Sequence, residues 1–303
     1  MHDWAGLNEI STMANIIIIP YFSEQEVDRY LRIADRLRTF AQQRSSYSFL
    51  LASSPKIEPS ERLYDCFSQI APTQHFACPS QVFGYPQGPT AMFWDCMDHI
   101  AHHTPRDGGF SLWMESDMVP VKADWIDRLA DEWQSLQPTP LLMGCLVPRV
   151  MKKRFWRRPR LWIPEHINGG GCYAKDFAEA MPKEAREGVF DLSVYQYAHE
   201  MGRAFGTQSI GFATVDRARM EISKPERVLL HGFMQDKDAF IQRCIDVSRE
   251  EIPSFQPPAP WVESIDHAYR RFKVRFVIRG HRAMLAALQQ QQDADESKLR
   301  RAA

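Results

Sequence analysis

Glu115 and Asp117, in the segment 110–133 that reads FSLWMESDMVPVKADWIDRLADEW, are the residues whose types and spacing point most directly to chemistry. Acids two residues apart lie on one face of an extended segment, so both carboxylates can approach one hard cation or, through it, a diphosphate. Phe110, Leu112 and Met114 carry strand-like hydrophobicity just before them. The pair is therefore expected at the C-terminal end of a buried parallel strand, where open α/β sheets bind ligands. Val119-Pro120 is expected to end that strand, and Asp124 to cap a helix carrying Trp125, Leu129 and Trp133. A second stretch of interest is 166–173, HINGGGCY, whose three successive glycines permit close backbone approach or a hinge. No strand and G-x-G-x-x-G spacing surround it, so it is not a dinucleotide fingerprint. Asp191, ahead of Tyr195, Ala198 and Met201, reads as the N-cap of a helix.

The elements that must position these residues follow from the pattern of apolar positions. Residues 15–21 (NIIIIPY) are β-branched and apolar without alternation, which predicts a central parallel strand covered on both faces. Ser23 and Glu26 make a capping box, after which Val27, Tyr30, Leu31, Ala34, Leu37 and Ala41 recur at helical spacing. A strand is expected at 47–52, a helix at 60–70, and a third apolar stretch at 75–82, interrupted by Pro79. Gln87-Gly88-Pro89 opens a helix with apolar positions Met92, Phe93, Cys96, Met97 and Ile100. Further strands are expected at 141–147 and 209–215. Alternation of strands and helices before Phe110 predicts the α/β class, a mostly parallel sheet with helices on both faces. His99, His102 and His103 read as a surface helix, because no acid of fitting spacing accompanies them.

Composition narrows the function classes. With 37 basic and 38 acidic side chains the formal charge is −1, which argues against a whole-surface field for nucleic acid. The cations concentrate instead at 152–160 within MKKRFWRRPRLW. That stretch reads either as a solvated loop or as an anion-binding flap able to grip a diphosphate, a lipid-linked diphosphate or an acidic glycan. Six cysteines without a C-x-x-C pair signal neither zinc nor a disulfide framework, so reduced thiols in a cytoplasmic protein are expected. The aliphatic run 16–19 is too short to span a bilayer, and 1–13 reads as a leader without signal-peptide features. After a proline-rich linker from 253, residues 262–292 are helical and basic. They are expected to pack on the domain, contact another copy, or lie through 266–282 on an anionic membrane surface.

A strand, an acid-x-Asp and then a helix resemble the metal-binding DxD element of nucleotide-sugar glycosyltransferases of the GT-A fold, with Glu115 replacing the first Asp. The resemblance extends along 14–245 through elements in the family's order. Pro20-Tyr21-Phe22-Ser23-Glu24 is similar to the Pro-x-x-x-Glu turn edging the nucleotide, and Gly88-Pro89 to the glycine-containing segment that closes over it. Asn168, Gly169 and Gly170 resemble the donor-sugar loop, and Asp191 the acid that deprotonates the acceptor in inverting members. His231 in ERVLLHGFMQDK resembles the C-terminal metal-binding histidine, and Lys237 the lysine that steadies the departing diphosphate. Ser53-Ser54 stands where many members place an aspartate near the base, which leaves the base open.

The resemblance implies a GT-A-like, Rossmann-type domain at 14–250, with a nucleotide half at 14–120 and an acceptor and metal half at 121–250. A linker and basic helical tail would occupy 251–303. It implies Mn2+ or Mg2+ held by Asp117 and His231, with Glu115 reaching ribose or a metal-bound water. The donor would be a nucleoside diphosphate-sugar and the acceptor a glycan or lipid-linked molecule. A nucleotidyltransferase shares the sheet and the acids, yet its glycine-rich basic loop is missing from 20–24. A non-catalytic glycan-binding or scaffold domain of the same fold is the third reading.

Overall fold

The computed structural model describes residues 15–40, 45–147, 150–152, 161–163, 165–232 and 236–250. The leader at 1–13, the side chains of the basic stretch 152–160 and everything expected of 251–303 lie outside the described residues.

The first part of the chain alternates as its apolar pattern dictates. β1 (Asn15–Tyr21), α1 (Glu24–Leu37), β2 (Tyr47–Ser53), α2 (Glu61–Phe67), β3 (Thr73–Ala77), α3 (Gln87–His103) and β4 (Phe110–Trp113) follow one another. β5 (Met118–Pro120), α4 (Trp125–Ser135), β6 (Leu142–Val147) and the pair β7 (Val150–Lys152) and β8 (Leu161–Ile163) come next. They are followed by β9 (His166–Ala174), α5 (Phe177–Ala180), α6 (Phe190–Glu200) and β10 (Ala204–Gly206). β11 (Ile210–Ala213), α7 (Ala218–Ser223), β12 (Leu229–Gly232) and α8 (Lys237–Val247) complete the described residues.

Among the described residues the main sheet has seven strands in the order β10-β6-β9-β4-β1-β2-β3. β1 pairs in parallel with β2 and β4, and β2 with β3, while β9 runs antiparallel between β4 and β6. Ile17, Ile18 and Ile19 are fully buried, as a strand covered on both faces requires. Removing each such side chain from water contributes roughly 1.5–3 kcal/mol. The structure therefore has the α/β architecture of a mostly parallel sheet flanked by helices. Helix starts obey local chemistry: Ser23 accepts the Glu26 N–H at 3.4 Å, and Ser60 accepts that of Leu63 at 3.4 Å.

Four local expectations are corrected. Residues 166–173 form no loop; they are strand β9, buried along most of its length. Val119-Pro120 does not merely end a strand, because Met118–Pro120 is β5, which pairs antiparallel with β12 in a second, three-stranded sheet. Asp124 holds the N-cap position of α4 without a side-chain hydrogen bond to the helix. Asp191 is not a cap either, since Val189 precedes the helix and Asp191 lies in its first turn. The second helix and third strand are shorter than expected, at Glu61–Phe67 and Thr73–Ala77. His99 stacks on Phe76 and on His103 at 4.4 and 4.5 Å between ring centroids, so the histidine cluster packs on itself.

Candidate functional site

The site is built where β1 and β4 end side by side. Tyr30, fully buried in α1, shares its one hydroxyl proton between the carbonyls of Pro20 at 2.9 Å and Met114 at 2.7 Å, drawing the two strand ends together. Beyond Met114 the chain turns through Glu115-Ser116-Asp117, with the Met118 N–H donating to the Glu115 carbonyl at 2.9 Å. β5 then pairs with β12 so that Met118 faces His231 across the ladder, and Gly232 N–H donates to the Asp117 carbonyl at 2.9 Å. This register carries His231 to the acids from 114 residues away in sequence, too far for any local motif to announce.

Three ligand atoms converge there. His231 Nε2 lies 3.2 Å from Glu115 Oε2 and 3.5 Å from Asp117 Oδ1. One ligand atom from each of the three residues lies within 4.8 Å of the others. Lys237, first residue of α8, reaches Asp117 Oδ2 with its ammonium at 3.2 Å. α8 is held against α1 by Asp238, which accepts from Arg29 Nη2 at 2.9 Å and pairs with Arg32. Burial would raise the Asp117 carboxyl, but His231 and Lys237 hold it well below its ordinary value. Burial would likewise lower His231, but the Asp117 and Glu115 carboxylates outweigh it and raise the imidazole to about 9. Asp117 Oδ1 and His231 Nδ1 are buried without a hydrogen-bond partner.

The glycines of β9 form the floor under these groups. Gly169 has φ +55°, and a Cβ there would sit 1.9 Å from Glu115 Oε1. At Gly170 a Cβ would meet Met118 Sδ at 2.2 Å and His231 Nδ1 at 3.4 Å. Glycine at 169 suits the left-handed φ and the Glu115 carboxylate lying on its backbone, and glycine at 170 makes room for the Met118 side chain. Tyr173 donates its hydroxyl to the Gly169 carbonyl at 2.8 Å and fixes the bend. Asn168 beside it is half-buried.

Asp191 is buried at the start of α6, within the field of Glu115. Loss of water pushes its carboxyl up to about 6, His166 opposes the shift, and the nearby Glu115 charge adds to it. Its Oδ1 has no hydrogen-bond partner. Phe190, next to it, stacks on Phe93 at 4.3 Å, so the start of α6 is anchored in the core.

Other expected contacts are placed differently. The Tyr21 side chain is fully buried, its hydroxyl accepting the Ser60 N–H at 3.0 Å, so it faces the core. Pro20 is buried within β1, and Glu24 is exposed near Arg62, 3.9 Å away. The turn instead presents Phe22, which together with Gly88 lines a cavity of about 240 Å³. Glu26, a capping residue by its spacing from Ser23, also reaches the site: its Oε2 accepts the Phe22 N–H at 2.7 Å and its Oε1 lies 3.5 Å from Ser116 Oγ. Lys56, Phe83 and Tyr85, also around the cavity, went unnoticed in the sequence. The exposed aromatics flanking Gly84 were the available signal.

No protein-family model matches the sequence, and no curated protein matches it. Solved structures that align with it include a 4-diphosphocytidyl-2C-methyl-D-erythritol synthase, 11% identical, covering 77% of this chain and 99% of that one with a TM-score of 0.46. An active-site mutant of LgtC is 8% identical over 82% of this chain and 98% of its own, TM-score 0.47. Mouse xyloside xylosyltransferase 1 is 11% identical over 73% and 98%, TM-score 0.45. LgtC has also been solved with donor and acceptor sugar analogues. The chain is similar to these proteins at a level that says nothing of its own activity.

Proposed function

We propose that this chain is a glycosyltransferase that moves a sugar from a nucleoside diphosphate-sugar to a glycan or lipid-linked acceptor, with Mn2+ or Mg2+ as cofactor. The observation that carries the reading is the meeting of Glu115, Asp117 and His231 at the end of a parallel strand, with Lys237 on Asp117. Two carboxylates and an imidazole are a donor set that suits such cations, and Asp117 Oδ1, buried without a hydrogen bond and 3.5 Å from His231 Nε2, is an acceptor that a cation would satisfy. Asp117 and His231 would hold the ion, and Glu115 would join them directly or through water. When bound, the ion supplies positive charge opposite a diphosphate.

The chain's own residues supply the rest. Lys237 contributes a second positive charge on the leaving-group side, positioned by the pairing of Asp238 with α1. Asn168, Gly169 and Gly170, whose bare backbone carries Glu115 and Met118 packed against it, would border the donor sugar. Asp191 takes the proton of the acceptor hydroxyl as its oxygen bonds to the anomeric carbon and the bond to the diphosphate breaks. Burial tunes its carboxyl toward neutral pH, as a general base requires. Attack with Asp191 as base inverts the anomeric centre; a retaining path would leave Asp191 without that work.

We place the reaction in the cytoplasm, in synthesis of bacterial-type surface polysaccharide or glycoconjugate. Peripheral membrane contact through 152–160 and 266–282, and self-association, belong to the same reading. Among the described residues no helix is long and apolar enough to cross a membrane. The test is incubation with a panel of nucleoside diphosphate-sugars and acceptors with and without Mn2+, followed by NMR of the product linkage. Release of pyrophosphate from a nucleoside triphosphate would favour a nucleotidyltransferase instead. Against that rival stands the turn between β1 and α1, where Phe22 and Ser23 alone connect the two elements. Metal-dependent donor hydrolysis by the isolated chain would exclude a non-catalytic scaffold.

A further inference from the structure

Burial raises the Asp191 carboxyl more than any neighbouring charge does, and a base must not hold its own proton at the pH where it works. Something in the fold has to keep it ionised. The candidates are the titratable groups on the elements packed around it. Tyr173 on β9 and Tyr85, just ahead of α3, share its field but are neutral phenols at pH 7. Glu115, past the end of β4, carries negative charge and raises the Asp191 carboxyl further. His166, the first residue of β9, acts in the opposite direction, and its effect exceeds that of Glu115. The N–H groups of Leu192 and Asp191 at the start of α6 help by less.

The packing of α6 on β9 brings His166 and Asp191 together. Asp191 and Tyr195 stand one helical turn apart on the same face of α6. The Tyr195 hydroxyl donates to Glu165 Oε1 at 2.8 Å, and Glu165 immediately precedes His166, so this face of the helix lies over the start of β9. There β9 departs from regular pairing. Its register on β6 shifts between Gly144 and Leu146, His166 pairs with Val147, and Gly169 has φ +55°. His166 is buried as Asp191 is, so little water screens one from the other. Asp191 Oδ1 has no hydrogen-bond partner, which leaves that oxygen open to a hydroxyl donor.

We propose that His166 is a positioning residue for the base: its charge, acting across the contact between β9 and α6, keeps the Asp191 carboxyl ionised, so that Asp191 takes the acceptor's proton instead of holding one of its own. The inference rests on the glycosyl-transfer reading for the use of Asp191 as a base, while the coupling of the two groups is testable without any substrate. His166 itself makes and breaks no bond.

The experiment is a pH titration of the full chain, labelled with 13C at its aspartate carboxyls and followed by NMR without divalent ion. The Asp191 signal is assigned by its loss in Asp191→Asn, and in the wild type it should inflect near 6. His166→Gln and His166→Asn remove the charge with different bulk, and thermal melts identify which of them is folded. In the folded variant the inflection should move up by roughly one unit, the smaller end of what an opposite charge contributes, equal to a tenfold change in proton affinity. An inflection that stays where it was reduces His166 to a filler of space and overturns the proposal. So does a wild-type Asp191 that titrates at the ordinary aspartate value, a result that needs no histidine variant. Transfer assays with UDP-glucose, UDP-galactose and GDP-mannose separate the two readings. If the inflection moves while Asp191→Asn transfers sugar at the wild-type rate, the base reading fails and the charge coupling alone stands.

Discussion

Binding of a divalent cation should release a proton from His231. In the cation-free protein the Asp117 and Glu115 carboxylates overcome the cost of burial and raise the imidazole to about 9, so at pH 7 it is protonated. A cation can use Nε2 only after that proton leaves. The gap between about 9 and pH 7 is about two units at 1.36 kcal/mol each, so competition weakens apparent affinity by about 2.7 kcal/mol, roughly a hundredfold. The sign is fixed: cation affinity climbs as pH rises from 7 and levels off above about 9. The stability that protonated His231 gives the cation-free protein runs the other way. It is complete below the ordinary histidine value of about 6.5 and lost as pH rises through about 9. Titrating Mn2+ at pH 7 in two buffers of different ionisation enthalpy measures the proton directly. One proton released per ion is expected; no release, together with affinity flat between pH 7 and 9, would refute the assignment of His231 as a ligand.

Three further perturbations follow from the geometry. Gly169→Ala combines a left-handed φ, worth roughly 1–2 kcal/mol of strain, with a Cβ driven into the Glu115 carboxylate. It should lower Tm and weaken Mn2+ binding, and unchanged Mn2+ affinity would separate Glu115 from the ligand set. Asp191→Asn should reduce kcat for transfer by roughly 10²–10⁴-fold while leaving donor affinity intact. It should also abolish the rise of wild-type activity through about pH 6, and steady-state kinetics across pH would expose a mere structural role by showing the rise intact. Tyr30→Phe removes the one hydroxyl proton that the Pro20 and Met114 carbonyls share. Chemical denaturation should show a loss of about 1–3 kcal/mol.

Much of the frame was legible because its causes are local. Four consecutive isoleucines leave little alternative to a strand buried on both faces, and Ser23 with Glu26 marks the start of α1 through hydrogen bonds within four residues. The glycines of β9 were misread because their reason is not local. Low strand propensity is overridden where Glu115, Met118 and His231 fill the space that side chains would have taken. The separate sheet was missed for a similar cause: a three-residue strand such as β5 carries too little pattern, and only pairing with β12 defines it. Asp191 looked like a cap because acids favour helix starts, whereas its buried position in the first turn depends on how α6 packs on β9. Glu26 shows the limit most plainly, since its capping role was visible and its approach to Ser116 depends on how α1 crosses the end of β4.

The most direct measurement is the thermal stability of the wild type and of Asp117→Asn with and without Mn2+. Neutralising Asp117 keeps its size while removing the charge that faces both His231 and Lys237. The wild type should gain Tm on addition of Mn2+, and the variant should gain none while remaining folded. An equal Mn2+-dependent gain in Asp117→Asn would contradict the claim that Asp117 and His231 share one cation.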